Sequence, residues 1–116
     1  MEKGLKELDG KLRWSLLPTK ALQGCIRVLT FGCKKYSPNN WKVVKPQGSY
    51  LDATFRHLIK YSEGEEFDDE SEESHLSHAI CDILFLEYHR MNRNTSQTFE
   101  DYLENILDYK DYIKED

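Results

Sequence analysis

Four segments of the chain carry apolar residues at helical spacing, and no segment shows the sustained alternation of a strand. In one of them, SHLSHAICDILFLEYHRM, the apolar positions include Leu76, Ala79, Ile83 and Leu86. Each segment is too apolar on one side to stand alone in water, so the helices must share a core. We therefore predict an all-α, four-helix bundle-like fold, with helices over residues 16–36, 49–64, 74–91 and 98–113.

The length and the charge of the chain limit its possible functions. A chain of 116 residues suits one domain with a modest core, which we place over residues 1–116. The net charge of -5 argues against a dedicated nucleic-acid binder, which normally carries a basic excess. No apolar run reaches membrane-spanning length, and the first residues lack the apolar core of a signal peptide. We expect a cytoplasmic protein with no membrane partner and no direct nucleic-acid binding.

A polar stripe runs along the third predicted helix. His75, His78, Asp82 and His89 fall within roughly 60° of one another when each residue turns the helix by about 100°. Imidazole and carboxylate groups are good ligands for divalent metals. The stripe borders the apolar face, so we expect it to be partly buried. The alternative, that these side chains only pack and form hydrogen bonds, is not excluded by the spacing.

The acidic run EGEEFDDESEE separates the second and third predicted helices and holds eight acidic residues in eleven. Charge runs of this kind are usually solvated. This run is short, however, and it contains Phe67. If the two helices pack antiparallel, the run closes their shared end, and some of its carboxylates would point back toward the polar stripe.

The stretch KKYSPNNW, at the end of the first predicted helix, could contact a nucleotide. Two ammonium groups, amides and aromatic rings would serve phosphate, base edge and base face, through Lys34, Lys35, Tyr36, Asn40 and Trp41. The simpler interpretation is a helix C-terminus whose dipole favours lysines, followed by a loop that Trp41 pins. Composition alone favours the simpler interpretation.

Arg56 and His57 lie together on the second predicted helix. The guanidinium fork of Arg56 matches phosphate oxygens, but it suits a surface ion pair equally well. For His57, packing in the core is the default interpretation from the sequence.

Three motifs follow one another between residues 10 and 88 and read GKLRWSLLPTKALQGCIRVLTFGCKKYSPNNW, YLDATFRHLIKYSEGEEFDDES and HLSHAICDILFLEY. Together and in this order, they resemble the phage-type dATP/dGTP diphosphohydrolase domain. This group includes the MazZ-like enzymes, within the all-α MazG-like nucleoside triphosphate pyrophosphohydrolases. The resemblance implies an enzyme that uses Mg²⁺ or Mn²⁺ to convert a purine deoxynucleotide, dGTP or dATP, to its monophosphate and pyrophosphate. It also implies a homo-oligomer.

The resemblance places the metal between the second and third helices. Asp82 corresponds to the aspartate of the second acidic motif of MazG-like proteins, and His78 stands where a glutamate is expected. The first acidic motif, E-E-x-x-E, has no counterpart, because Arg56 and His57 occupy its place. Two carboxylates of the acidic run, those of Asp68 and Glu70, would then replace it.

We therefore predict a metal site with catalytic roles for three of its members, Glu70, His78 and Asp82. The expected metal ligands are His57, Asp68, Glu70, His75, His78 and Asp82. The expected nucleotide contacts are Lys34, Lys35, Tyr36, Asn40, Trp41 and Arg56. The missing E-E-x-x-E motif keeps open a different class of function, a protein that binds and sequesters a nucleotide without cleaving it.

Overall fold

The structure, a computed structural model, describes Gly4, Glu7 and residues 9–110. This part of the chain forms four helices, α1 (Thr19–Lys35), α2 (Ser49–Ser62), α3 (His75–Met91) and α4 (Phe99–Leu107). The predicted all-α, bundle-like architecture is confirmed. The last helix ends earlier than predicted, and residues 111–113 of that prediction lie outside the described residues. None of the helices in the described part combines the length and the apolarity that crossing a bilayer requires.

Helix α3 is central and packs against both α1 and α2. Small side chains let α1 approach it closely, because a Cβ atom on Gly24 would lie 2.1 Å from Oγ of Ser77. One turn further, the buried thiols of Cys25 and Cys81 are in contact, with their Sγ atoms 2.7 Å apart. The Cys81 thiol also donates to the carbonyl oxygen of Cys25. These contacts fix the position of α3 against α1.

Helices α2 and α3 run antiparallel. Near the start of α2, the ring of Tyr50 lies 5.0 Å from the ring of Phe85, which is late in α3. Near the end of α2, the ring of His57 lies 4.6 Å from the ring of His78, which is early in α3. The acidic loop between the two helices therefore closes the end where the histidines lie.

Helix α4 attaches to the opposite end of this pair. The amide of Gly48 donates to the carbonyl oxygen of Ile106 at 3.1 Å, and the hydroxyl of Tyr102 donates to Gln47 at 3.2 Å. A Cβ atom at position 48 would lie 2.2 Å from the Ile106 oxygen, so this approach requires glycine. Helix α4 begins with a side-chain cap, in which Oγ1 of Thr98 accepts from the amide of Asp101.

Besides the face that meets α1, the polar stripe of α3 is buried. His75 has no exposed surface, Asp82 is 9% exposed and His89 is 6% exposed. The predicted burial of the stripe is confirmed for these three residues. The prediction that Ile83 belongs to the core is wrong for a single chain, since its side chain is 51% exposed. Helix α2 covers the polar stripe and leaves much of the neighbouring apolar face of α3 in solvent.

Candidate metal and nucleotide site

The acidic loop is an ordered turn that holds Asp68 in place. Phe67 and Ser74 form an isolated antiparallel bridge, and the amide of Asp68 donates to the carbonyl oxygen of Glu73 at 2.8 Å. The carboxylate of Asp68 accepts from the amide of Ser71 at 2.9 Å and from its hydroxyl at 3.1 Å. This carboxylate therefore points back into the turn rather than into bulk solvent.

Helix α3 begins at His75 because Ser74 caps it. Oγ of Ser74 accepts from the amides of Leu76 and Ser77, at 3.0 Å and 3.4 Å. The amide of His75 donates to the carbonyl oxygen of Glu66 at 3.0 Å. The backbone of His75 is thus fixed from both sides, by the helix and by the loop.

Three imidazole rings meet between α2 and α3. Nδ1 of His57 lies 2.8 Å from Nδ1 of His75, and the ring of His57 stacks on the ring of His78. On its other side, Nε2 of His75 lies 2.6 Å from a carboxylate oxygen of Glu65. If His75 is neutral and donates to Glu65, its Nδ1 accepts from His57, which leaves Nε2 of His57 unprotonated.

His78 is connected to Asp68 through a serine. Nε2 of His78 lies 2.6 Å from Oγ of Ser71, whose hydroxyl donates to Asp68. The direct distance from Nε2 of His78 to Asp68 is 3.8 Å. A neutral His78 that donates through Nε2 would complete a chain of hydrogen bonds ending at the carboxylate.

Three of the predicted ligands form a group that could hold a metal ion. His57, Asp68 and His75 each offer one ligand atom, and these atoms all lie within 4.8 Å of one another. Two imidazole nitrogens and one carboxylate oxygen suit a divalent transition ion better than Mg²⁺, which prefers oxygen ligands. Of the two predicted ions, Mn²⁺ fits this donor set better.

The electrostatics of the site favour the protonation states that bind metal. Burial, with the neighbouring rings of His78 and His75, lowers the pKa of His57 to about 4. Burial also lowers the pKa of His78. Burial alone would raise the pKa of Asp68, but hydrogen bonds from Ser71 and the nearby histidines bring it below its ordinary value. At neutral pH these two histidines are therefore neutral and Asp68 is ionised, as metal binding requires.

Asp82 lies one turn beyond His78 and outside this group. Burial raises the pKa of its carboxyl to about 7, against the opposing charge of Arg56. Within the described residues the carboxylate of Asp82 makes no hydrogen bond. Its negative charge also contributes, after burial, to a raised pKa of about 12 for Tyr50. Asp82 is thus a buried acid between α2 and α3 that can hold or release a proton near neutral pH.

The predicted ligand Glu70 has a different neighbour. Its exposed carboxylate pairs with the ammonium group of Lys35, which is a predicted phosphate contact. The same lysine nitrogen lies 5.2 Å from the ring centre of Tyr36. The pair draws the C-terminus of α1 toward the acidic loop. Glu70 can reach a metal, and Lys35 a phosphate, only if this ion pair opens.

Of the remaining predicted nucleotide contacts, Arg56 lies next to His57 on α2, whereas Trp41 packs elsewhere. Trp41 stacks on Phe85 with ring centres 4.6 Å apart and meets Tyr88 edge-on, and Asn40 begins the short 3₁₀ turn that carries it. These contacts place Trp41 against the C-terminal half of α3. Arg56 is exposed, and its charge acts on both His57 and Asp82. Lys34 lies exposed in the last turn of α1.

Two residues that the sequence analysis did not single out take part in the site. Glu65 contacts His75, and Ser71 connects His78 with Asp68. Both lie in the acidic run, where periodicity gives no information about side-chain direction. Only the folding of the loop, through the bridge between Phe67 and Ser74, brings them to the histidines.

Comparisons with known proteins agree with the motifs. The family described as dATP/dGTP diphosphohydrolase, N-terminal, matches residues 1–98. A dATP/dGTP diphosphohydrolase of Salmonella phage PMBT28 is 33% identical over 93 residues, which are 80% of this chain and 32% of that protein. The chain thus spans about a third of the length of this relative. No solved structure matches the chain. The chain belongs to the family of N-terminal domains of dATP/dGTP diphosphohydrolases.

Proposed function

We propose that this chain is a metal-dependent hydrolase that converts purine deoxynucleoside triphosphates, dGTP or dATP, to the monophosphate and pyrophosphate. The printed name of the phage relative supports this substrate class. The observation that carries the proposal is the group formed by His57, Asp68 and His75, whose ligand atoms lie within 4.8 Å of one another. The site faces a loop with eight acidic residues in eleven, which would repel a triphosphate unless cations were present.

The proposed metal ligands are His57, Asp68 and His75, with Mn²⁺ favoured over Mg²⁺ by the two imidazoles. When bound, the ion would neutralise phosphate charge and lower the pKa of a water molecule. A cavity of about 320 Å³ lies beside Asp68, with walls formed by Phe67, Asp69 and Glu72. Asp68 is the one member of the metal group that lines this cavity, and we propose that part of the substrate enters here.

His78 is the proposed proton acceptor. Its lowered pKa keeps the ring neutral at pH 7, so it can take a proton from a water molecule. The hydrogen bonds through Ser71 orient the ring, and the nearby charge of Asp68 would stabilise the imidazolium that forms. Asp82 is one turn away and, with a pKa of about 7, would hold the proton in a second position.

Cationic side chains around the site are the proposed phosphate contacts. Arg56 extends from the exposed side of α2 next to His57. Lys34 and Lys35 come from the end of α1, where Lys35 already reaches the acidic loop through Glu70. A triphosphate would compete with Glu70 for Lys35. Substrate binding would therefore free the Glu70 carboxylate for its predicted role beside the metal.

A second candidate function is sequestration of the nucleotide without cleavage. The specific observation in its favour is that the metal group contains one carboxylate and two imidazoles. Such a set gives less negative charge to the ion than the carboxylate clusters expected of MazG-like enzymes. A nucleotide could then bind with its metal and stay intact.

Incubation with dGTP and Mn²⁺, followed by anion-exchange chromatography, separates the two functions. The proposed enzyme yields dGMP and pyrophosphate in equal amounts, and His78→Gln lowers the rate at least a hundredfold while dGTP still binds. Glu104→Gln, at an exposed position of α4, serves as the control and keeps the rate. Bound but intact dGTP in the wild type would contradict the enzyme and support sequestration.

We also propose that two or more copies of the chain associate through the apolar face that the single chain exposes. Phe55 and Ile59 on α2 are 55% and 54% exposed, and Ile83 on α3 is 51% exposed. Neighbouring exposed apolar side chains on packed helices are typical of an interface. We expect a dimer or larger assembly by light scattering after size-exclusion chromatography, and a monomer for Ile59→Glu. A wild type that elutes as a monomer at 100 µM, about the concentration at which weak dimers form, would contradict this.

A further inference from the structure

A second cavity lies at the other end of the helix pair, far from the histidine group. It has a volume of about 420 Å³, within the range of small-molecule sites, and lies between the connection that precedes α2, the end of α3 and helix α4. His89, in its wall, is 14 residues beyond His75, so a rise of about 1.5 Å per residue separates them by about 21 Å. The cavity is therefore separate from the proposed catalytic site.

The wall of this cavity is cationic in an acidic protein. Lys45 and Arg93 contribute two positive charges, and no acidic residue lines it, although the chain carries a net charge of -5. Neither cation forms an ion pair within the described residues. Amide side chains, including those of Asn92 and Asn105, complete the polar wall. This combination suits an anion with additional hydrogen-bonding groups.

Arg93 is held so that one edge of its guanidinium group is unused. Its NH1 nitrogen donates to the carbonyl oxygen of Arg90 at 2.9 Å, and the group lies over the rings of Phe99 and Tyr102, at 5.7 Å and 6.0 Å. Its Nε atom is buried and has no hydrogen-bond partner in the described part of the chain. A guanidinium group can bind phosphate in a bidentate manner through an edge with two N–H donors, and the edge formed by Nε and Nη2 makes no hydrogen bond within the described residues.

A second buried nitrogen in the same wall also has no partner. Nε2 of His89 is shielded from solvent and makes no hydrogen bond with any described residue, and His89 as a whole is 6% exposed. Buried polar atoms are rarely left without a partner unless a ligand or water supplies one. Within the described part of the chain, the two residues that carry such atoms, His89 and Arg93, both line this cavity.

We infer that this cavity is a second ligand site, which binds a small phosphate-bearing anion between Lys45 and Arg93. The guanidinium edge of Arg93 takes the phosphate, Lys45 adds a point charge, and His89 with the amides contacts the remainder of the ligand. The inference does not depend on the proposed hydrolysis, because neither the metal group nor His78 takes part in it.

Titration of the metal-free full chain with inorganic phosphate, followed by two-dimensional NMR, tests this inference. We expect saturable shifts of the Lys45, Asn92 and Asn105 amides, and at least tenfold weaker binding in Arg93→Met. Arg90→Met is the matched control, because Arg90 pairs with Glu87 and does not line the cavity, and it should bind as the wild type does. Equal binding by Arg93→Met and the wild type would overturn the inference, as would shifts confined to the histidine end.

A second variant and a second probe complete the test. If Arg93→Met does not fold by circular dichroism, Lys45→Gln replaces it, because Lys45 is exposed in a connection, and we expect at least threefold weaker phosphate binding. Unchanged binding in that folded variant would also overturn the inference. Succinate serves as a carboxylate probe. Tighter binding of succinate than of phosphate at these residues would contradict the phosphate assignment.

Discussion

Nδ1 of His57 and Nδ1 of His75 lie 2.8 Å apart and join α2 to α3 inside the helix pair. In the metal-free chain these nitrogens share one proton. This contact joins two of the three residues of the proposed metal group, whose ligand atoms all lie within 4.8 Å of one another.

The first prediction concerns the pH dependence of folding in the metal-free protein. The folded chain keeps His57 neutral down to a pKa of about 4, while the unfolded chain protonates it near 6.5. Between these values the unfolded state binds more protons, so the contribution of His57 is complete above pH 6.5 and declines as the pH falls toward 4. Urea unfolding at several pH values should show that the free energy of unfolding falls more steeply with decreasing pH in the wild type than in His57→Gln. Parallel curves for the two proteins would contradict the assigned pKa.

The second prediction concerns Asp82→Asn, again without metal. Burial raises the pKa of Asp82 from 3.8 to about 7, so the folded chain holds an extra proton between these values, and stability falls as the pH rises through this window. The neutral amide should match the wild type near pH 4 and exceed its stability by about 1–3 kcal/mol at pH 8. Turnover of dGTP should nevertheless be lost. A variant that is less stable than the wild type at pH 8 would show that the ionised carboxylate is not disfavoured.

The third prediction concerns Trp41→Ala. The sequence left open whether Trp41 stacks on a base or holds its loop in place. Its contacts with Phe85 and Tyr88 favour the structural role. We expect a loss of about 2–4 kcal/mol of stability, because a large packed ring is removed. Thermal unfolding measures this loss, and dGTP affinity measured below the transition should be nearly unchanged. A variant that is as stable as the wild type but binds dGTP more weakly would show instead that Trp41 contacts the nucleotide.

The helices could be predicted from the sequence because their periodicity is local. The wheel of α3 also placed His75, His78 and Asp82 on one face, which the structure buries at His75 and Asp82 and half-buries at His78. What periodicity could not decide was which face of α3 meets α2. The polar stripe does, because His75 finds a hydrogen-bond partner in His57 across the helix pair, and Ile83 stays exposed.

The acidic loop was the least predictable part of the site. Composition indicated a solvated run, and the resemblance pointed to Asp68 and Glu70 without distinguishing them. The turn directs Asp68 inward through hydrogen bonds from Ser71, whereas Glu70 lies outside and pairs with Lys35. Neither outcome follows from local propensity, because each depends on a contact that forms only when the helices have packed.

The most direct test of the metal site is a Mn²⁺ titration followed by electron paramagnetic resonance, with two adjacent substitutions compared. Asp68→Asn removes a carboxylate from the metal group, and Asp69→Asn removes one from an exposed neighbour in the same loop. We predict that Asp68→Asn weakens Mn²⁺ binding at least tenfold, which corresponds to about 1.4 kcal/mol, while Asp69→Asn binds as the wild type does. Equal Mn²⁺ affinity in the wild type and in a folded Asp68→Asn variant would contradict the proposed metal site.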